Sequence, residues 1–170
     1  MTPFKKLLPA ALFLIAVFGS TQLVLAQKSD STKELAIKNL VDNQQYVFYA
    51  ESVTPMSGRQ RFLTSDYSVA VGKDTVVTDL PYFGKAYSAP IGSTDGGIKF
   101  TSTKFKYNVK PRKKGGWDMN IKPTDISDVQ QLTLTVYKNG TAYLNVNSTN
   151  RQSISYNGHI SERKSRYPVK

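Results

Sequence analysis

The sequence predicts an all-β fold of about 8–10 short strands, arranged as an antiparallel meander barrel of the lipocalin type or as a β-sandwich, with one short N-terminal helix. Three observations predict this class. Apolar and polar residues alternate with a period of two from Tyr46 onward, turn-forming residues recur at short intervals, and helical spacing occurs in one segment before Tyr46. Such strands bury their apolar faces only when the sheet closes on itself or stacks on a second sheet.

The first residues have the pattern of an export signal. Two lysines precede an apolar run over residues 7–18, and small or mixed residues follow as far as Ala26. We therefore expect a signal peptide over residues 1–26, cleaved after Ala26. A retained membrane anchor is the alternative, but an anchor needs about 20 strongly apolar residues, and residues 19–22 interrupt this run.

The rest of the chain has the size of one domain. We expect a single β-rich domain over residues 27–161. The last residues, 162–170, are basic and lack an apolar face, which predicts a disordered tail. The chain contains no cysteine, so it has neither a disulfide framework nor a lipid-modified cysteine. We expect an exported protein of the periplasm or cell envelope that is not a lipoprotein.

The charge of the chain favours anionic partners. The formal net charge is +11, and removal of the signal, which carries two lysines and no acid, leaves +9. A basic surface attracts nucleic acid, phosphorylated glycolipid, acidic polysaccharide or membrane headgroups. Export makes nucleic acid the least accessible of these, so we expect no nucleic-acid partner.

One helix is predicted over residues 31–43. Ser31 and Glu34 have capping-box spacing, in which each side chain satisfies a backbone N–H at the helix start. The apolar residues that follow fall on one face at i, i+3 and i+4 spacing. These residues are Ala36, Ile37, Leu40 and Val41.

Strand patterns fill the chain after Tyr46. The segments YVFYAESV, GRQRFL, YSVAV and TVVTDL predict four strands. TKFKYNVK and WDMNIK then predict a hairpin in which aromatic and apolar residues point one way, and lysines and other polar residues point the other. PRKKGG is the turn between these two strands.

The next hairpin, QLTLTVYKNGTAYLNVN, predicts its own register. A two-residue Asn139-Gly140 loop would place Leu134 opposite Asn145, so apolar and polar side chains would share a face. A three-residue loop over residues 138–140 avoids this and gives Gly140 the left-handed bulge position. It pairs Val136 with Ala142, Leu134 with Leu144, and Leu132 with Val146, and the same buried face continues through Ile154, Tyr156 and Ile160.

The least regular segment, residues 80–98, is the first candidate site. Its aromatic rings either plug one end of the barrel, which is the structural interpretation we favour, or line the mouth of a pocket for a sugar or an apolar ligand. The adjacent glycines of STDGGI also allow backbone N–H groups to converge on an anion, although DGG is an ordinary turn as well. The candidate ligand-binding residues are Tyr82, Phe83, Tyr87, Asp95, Gly96 and Gly97.

The second candidate site is the cationic face of the TKFKYNVK–WDMNIK hairpin. It either contacts an anionic ligand or is a solvated face that protects an edge strand. Because Phe105 and Tyr107 point away from the lysines, this face cannot both stack bases and neutralise phosphates. The candidate residues are Lys104, Lys106, Lys110, Arg112, Lys113, Lys114 and Lys122.

Several chemistries lack the residues that they need. Zinc sites use clustered cysteine and histidine, and this chain has His159 as its single histidine, which the strand period places toward solvent. We therefore predict no metal, no cofactor and no catalytic residue. A glycan hydrolase that uses two of Asp66, Asp79 and Asp95 is an alternative, but aspartates at strand ends are more commonly turn residues.

Long phrases of the sequence carry a resemblance to a known family. They are LPYFGKAYSAPIGSTDGGIKF, LTLTVYKNGTAYLNVNSTNRQSISYNGHI and TPMSGRQRFLTSDYSV. In these phrases, and over roughly Leu35 to Ile160, the chain resembles the exported Bacteroidota proteins grouped as domain of unknown function 4251. The resemblance implies export and an envelope setting, and it carries no reaction, catalytic residue or ligand.

Together these features predict a non-catalytic binding module of the periplasm or cell envelope. Its expected partner is an anionic envelope component, or an apolar or glycan ligand, and no integral membrane segment is expected after signal cleavage. The alternatives are a structural envelope protein and, less favoured, the carboxylate-based hydrolase.

Overall fold

The computed structural model describes residues 21–87 and 96–163, with side chains described from residue 31. One helix is followed by nine strands within these residues. The elements are α1 Thr21–Asn43, β1 Tyr46–Pro55, β2 Arg61–Val71, β3 Val76–Leu80, β4 Ile98–Ser102, β5 Phe105–Pro111, β6 Trp117–Pro123, β7 Val129–Val136, β8 Thr141–Ser148 and β9 Ile154–Ser161.

The nine strands form a single, nearly closed, barrel-shaped sheet in the order β4-β3-β2-β1-β9-β8-β7-β6-β5. All of its ladders are antiparallel, so β4 and β5 must run in the same direction. Only Thr103 and Lys104 separate these two strands. They are therefore two halves of one bent strand, the first paired with β3 and the second with β6, and the sheet is an eight-membered meander. The barrel prediction is confirmed.

The barrel interior is filled by the side chains that the period of two assigns to it. The predicted inward face of β6 to β9 is confirmed, because alternate residues along these strands are buried. The largest fully buried side chains include Tyr46, Phe48, Leu80, Ile98, Met119, Ile121, Leu132, Leu134, Leu144, Ile154 and Tyr156.

The β7–β8 hairpin has the predicted register. Val136 pairs with Ala142 and Leu134 with Leu144 across a loop of residues 138–140. Gly140 has a φ of 85°, the left-handed conformation that the bulge position requires. The pattern of buried side chains therefore selected the loop length correctly.

The predicted helix is present, but its start is wrong. The described helix already includes Thr21, well before residue 31, because no glycine or proline interrupts residues 21–30 and the capping pair lies inside a continuous helix. Ile37 is buried. Lys138 Nζ lies 3.0 Å from Glu34 Oε1. The helix thus packs at the barrel end that carries the β7–β8 turn.

The segments GRQRFL and YSVAV were predicted as separate strands, and the structure corrects this. Both belong to β2, because its two ends pair with β1 on either side of an interruption. Ser52 pairs with Phe62 and Ala50 pairs with Tyr67, so the four residues Leu63–Asp66 lie opposite Glu51 without strand partners in β1.

The predicted signal and tail fall largely outside the described residues. The structure does not describe residues 1–20 or 164–170, so the signal peptide, its cleavage and the disordered tail remain predictions. Within the described part of the chain, no helix is both long and apolar enough to cross a membrane.

Candidate functional site

The outer face of β5, β6 and β7 carries a cavity of about 330 Å³, here called the lysine cavity. Its lining side chains come together because β5 and β6 pair without interruption. Lys106 lies opposite Lys122, and further outward-facing pairs follow at every second residue along the two strands. The side chains that line it include Lys106, Asn108, Lys110, Asp118, Asn120 and Lys122.

Three lysines and one carboxylate of the described residues line the lysine cavity, and that carboxylate, Asp118, lies opposite Lys110 in the β5–β6 pair. Among the described residues, Lys106, Lys110 and Lys122 form no ion pair. The carboxylate of Asp118 lies 3.5 Å from Arg112 Nε and accepts a hydrogen bond of 2.7 Å from the Thr135 hydroxyl. Directly opposed like charges destabilise a strand pair, so an anion between the lysines would relieve a repulsion.

An unpaired polar group lies among these lysines. The side-chain oxygen Oδ1 of Asn120 is buried and has no hydrogen-bond partner among the described residues. A buried acceptor without a partner costs free energy that a ligand donor can recover. The cavity therefore offers cations for an anionic group, and the Asn120 side chain must turn toward the cavity before its buried Oδ1 can accept from a neighbouring hydroxyl.

The other predicted basic residues lie outside this cavity. Arg112, Lys113 and Lys114 are in the β5–β6 turn, where the Arg112 guanidinium lies 5.1 Å from the centroid of the Tyr137 ring. Lys104 lies at the β4–β5 corner. The structure thus brings together three of the seven predicted basic residues around one cavity.

Asp125 holds the β4–β5 corner. Its carboxylate accepts hydrogen bonds from the Ser102 hydroxyl at 2.5 Å, from Thr103 N–H at 2.9 Å and from Lys104 N–H at 3.1 Å. The Ser102 hydroxyl, followed by these N–H groups, lowers the pKa of Asp125 from 3.8 to about 2, because the donors stabilise the ionised form. The bend that closes the barrel is therefore fixed by a carboxylate.

The loop that follows β3 is fastened to the β8–β9 connection. The Tyr82 hydroxyl is 2.9 Å from Lys85 O and 3.0 Å from Gln152 O, and the Tyr156 hydroxyl donates to Pro81 O at 2.6 Å. Burial is the main cause that raises the pKa of Tyr82 and of Tyr156. In this part of the loop the tyrosine hydroxyls bond the protein's own backbone.

Arg151, which the sequence analysis did not predict, contacts several segments at this end of the barrel. It is only 7% exposed and lies 5.3 Å from the centroid of the Tyr82 ring. Its Nη1 donates to Gly96 O at 3.2 Å and to Gly97 O at 3.0 Å, and its Nε lies 3.3 Å from Asp128 Oδ2. The carbonyls of the predicted glycine pair therefore face a protein cation. An isolated arginine in a loop gave no signal in the sequence.

The remaining predicted loop residues have different surroundings. Phe83 is 44% exposed, with the Arg61 guanidinium 5.2 Å from its ring centroid, and Tyr87 is 72% exposed. Asp95 lies outside the described residues. Binding at this loop remains a prediction.

A second cavity, of about 490 Å³, lies on the outer face where β2 is interrupted, and is called here the β1–β2 cavity. His159 Nδ1 is 2.7 Å from Glu51 Oε1, and its ring stacks on Tyr49 with centroids 5.6 Å apart. Of the carboxylates considered for hydrolysis, Asp66 lines this cavity, whereas Asp79 lies 3.6 Å from Lys99. Glu51, which also lines it, was not predicted.

The comparisons with known proteins agree with this fold. The crystal structure of a DUF4251 family protein from Bacteroides eggerthii DSM 20697 is similar, with a TM-score of 0.62 and 21% sequence identity over 80% of this chain and 91% of that chain. At this identity the likeness shows the fold alone. A search of curated proteins finds no match. The family described as domain of unknown function DUF4251 matches residues 28–160, so this chain belongs to the DUF4251 family.

Proposed function

We propose that this protein is a non-catalytic binding module of the cell envelope and that its lysine cavity recognises the anionic group of an envelope glycan. The observation that supports this most directly is the cluster of Lys106, Lys110 and Lys122, which surround one cavity and lack an ion-pair partner among the described residues. A phosphate or carboxylate would accept charge-assisted hydrogen bonds from these ammonium groups.

The composition of the cavity supports a sugar-borne anion over an apolar ligand. Seven of its eight lining residues among those described are lysine, asparagine, aspartate or threonine, and the side chain of the eighth, Met119, is buried in the core. Once the Asn120 side chain turns toward the cavity, its unpaired Oδ1 can accept a hydrogen bond from a hydroxyl beside the anion. A glycan with phosphate or carboxylate groups supplies both kinds of partner.

A single-stranded nucleic acid is a poorer fit to the same surface. Phe105 and Tyr107 are half-buried and pack against the core on the inner face of β5. Among the described residues, no aromatic side chain lines the lysine cavity, so it lacks the stacking rings on which single-stranded nucleic acids bind.

A titration of the ¹⁵N-labelled protein tests the proposal. The probes are oligogalacturonate, which carries carboxylates, and inorganic pyrophosphate, which carries phosphates without a sugar. We expect saturable shifts in the amide resonances of Lys106, Asn120 and Lys122 with oligogalacturonate, and weaker shifts with pyrophosphate, which lacks the hydroxyls that Asn120 would accept.

A matched pair of variants separates a site from general charge attraction. The triple variant Lys106→Gln, Lys110→Gln and Lys122→Gln removes three charges from the cavity and should weaken binding at least about tenfold. The control variant Lys104→Gln, Lys113→Gln and Lys114→Gln removes three charges outside it and should change binding less. Equal weakening by both variants, or no saturable binding of either probe, contradicts the proposal.

A further inference from the structure

The interruption in β2 is the longest register shift in the described sheet, since the shifts in the β1–β9 and β7–β8 pairs each skip one residue. Opposite Glu51, the four residues Leu63–Asp66 have no strand partner in β1, and the pairing of β2 with β3 covers only Ser68–Val71. These four residues therefore form a wide bulge in the β1–β2 pair. Bulges of this kind redirect side chains and often accompany functional sites.

The neighbouring strand β9 is built to accept the same irregularity. Gly158 pairs with Ala50 at the point where the β1 register shifts. A Cβ atom on Gly158 would lie 1.8 Å from Tyr49 O, so only glycine permits this close approach of the two backbones. The strands on both sides of β1 therefore shape the cavity: β2 through its unpartnered residues and β9 through Gly158.

The β1–β2 cavity has the size of a ligand site and is rich in hydrogen-bond acceptors. Its volume of about 490 Å³ lies within the usual range for small-molecule pockets. Two carboxylates, Glu51 and Asp66, line it, and no lysine or arginine of the described residues does so, although the chain has a net charge of +11. Its hydroxyl side chains include Thr64, Ser65, Ser68 and Ser161.

Contacts within the protein hold the Tyr49 and His159 rings of the cavity in place. Tyr49 and His159 stack with an interplanar angle of 28°, and the Glu51 carboxylate accepts a hydrogen bond from Nδ1 of His159 at 2.7 Å. Nε2 of the imidazole has no partner among the described residues. Tyr67 also lines the cavity, although it packs partly against the core.

We infer that the β1–β2 cavity binds a neutral saccharide unit. Sugar hydroxyls donate to carboxylates and accept from hydroxyls, and the apolar face of a sugar ring packs on aromatic side chains. The carboxylates of Glu51 and Asp66 repel the anionic ligands that the lysine cavity would attract. The two cavities therefore take ligands of different charge, and this site does not depend on the function proposed for the lysine cavity.

An array of neutral, acidic and amine-bearing oligosaccharides, probed with the full-length protein, tests the inference. We expect at least one neutral oligosaccharide to bind. An NMR titration with that oligosaccharide should shift the resonances of Glu51, His159 and Leu63–Asp66 in a saturable manner. Absence of any neutral binder, or binding confined to amine-bearing sugars, overturns the inference, because the second result would reflect attraction to the carboxylates alone.

Two matched single substitutions locate the binding. Glu51→Gln removes one carboxylate from the cavity, and the affinity for the neutral oligosaccharide should fall roughly tenfold or more. Asp74→Asn removes one exposed carboxylate in the β2–β3 turn and should leave the affinity unchanged. The triple lysine-to-glutamine variant of the lysine cavity should also leave it unchanged. Loss of neutral-sugar binding in that triple variant, or equal affinities in Glu51→Gln and the unmodified protein, overturns the inference.

Discussion

The lysine cavity and the β1–β2 cavity lie on the outer face of the same barrel but are built in different ways. β5 and β6 pair without interruption from Phe105 to Pro111, so side-chain identity alone gives the lysine cavity its character. The β1–β2 cavity exists because four residues of β2 have no partner in β1. The side chains of a regular ladder therefore determine what its surface can bind, whereas an interrupted ladder also provides concavity.

The largest expected difference between the two regions concerns the core beneath them. Leu134 is fully buried beneath the regular ladder, between Met119 and Leu144 of the flanking strands. Leu134→Ala should lower the free energy of unfolding by about 2–5 kcal/mol, because it leaves a cavity in a packed interior. Leu63→Ala, in the interrupted part of β2, removes a half-buried side chain and should cost only about 1 kcal/mol. Urea denaturation of both variants measures the two values.

Equal costs for these two leucines would contradict the comparison. They would mean that Leu63–Asp66 is packed as firmly as the regular ladder, and the description of this segment as an interruption would then fail. Hydrogen exchange provides a second check, since the amides of the four unpartnered residues should exchange faster than those of β7.

The next largest effect is expected at the glycine that permits the interruption. Gly158→Ala should destabilise the protein by about 1–3 kcal/mol, because the new Cβ meets Tyr49 O and forces β1 away from β9. Gly96→Ala is the matched control, since a Cβ there meets no atom of the described residues within 4 Å. Thermal denaturation measures both changes. A Gly158→Ala variant as stable as Gly96→Ala would show that the two backbones do not need this close approach.

Much of the regular half of the fold was predictable from side-chain periodicity. The β7–β8 register followed from Leu134 and Leu144 alone, because a one-residue slip would have exposed apolar side chains. Periodicity could not show the interruption of β2, since a bulge changes pairing without leaving a marker such as the Asn-Gly turn. Nor could it show that β4 and β5 are one bent strand, because the bend depends on a distant acceptor, Asp125.

The candidate sites divide in the same way. The strand period placed Lys106 and Lys122 on one outer face, and the structure places them opposite each other. Three features depend on residues far apart in the chain: the burial of Asn120 Oδ1, the burial of Arg151 and the Glu51–His159 pair. A single sequence carries no signal for such contacts, because each of these residues is ordinary in its local context.

A smaller effect, and one of opposite sign, is expected from the lysine cavity itself. Lys122→Glu replaces a repulsion with an attraction to Lys106, the residue directly opposite, and should stabilise the protein by about 0.2–1 kcal/mol. The same change should abolish oligogalacturonate binding. Lys113→Glu, in the β5–β6 turn, makes the same change of charge without a cross-strand partner and should alter neither property as much. Urea denaturation at low salt measures the stability, and destabilisation by Lys122→Glu would contradict the prediction.

The smallest effect is expected at Asp125, an exposed side chain at the β4–β5 corner beside the lysine cavity. Its pKa falls from 3.8 to about 2 on folding, so its contribution to stability is fully present above pH 3.8 and is lost as the pH falls toward about 2. Asp125→Asn removes the ionisable group. Its Tm should therefore lie below that of the unmodified protein at pH 7 and converge with it near pH 2. Thermal denaturation across this range measures the difference. A constant Tm difference down to pH 2 would mean that the ionised carboxylate does not hold the β4–β5 bend.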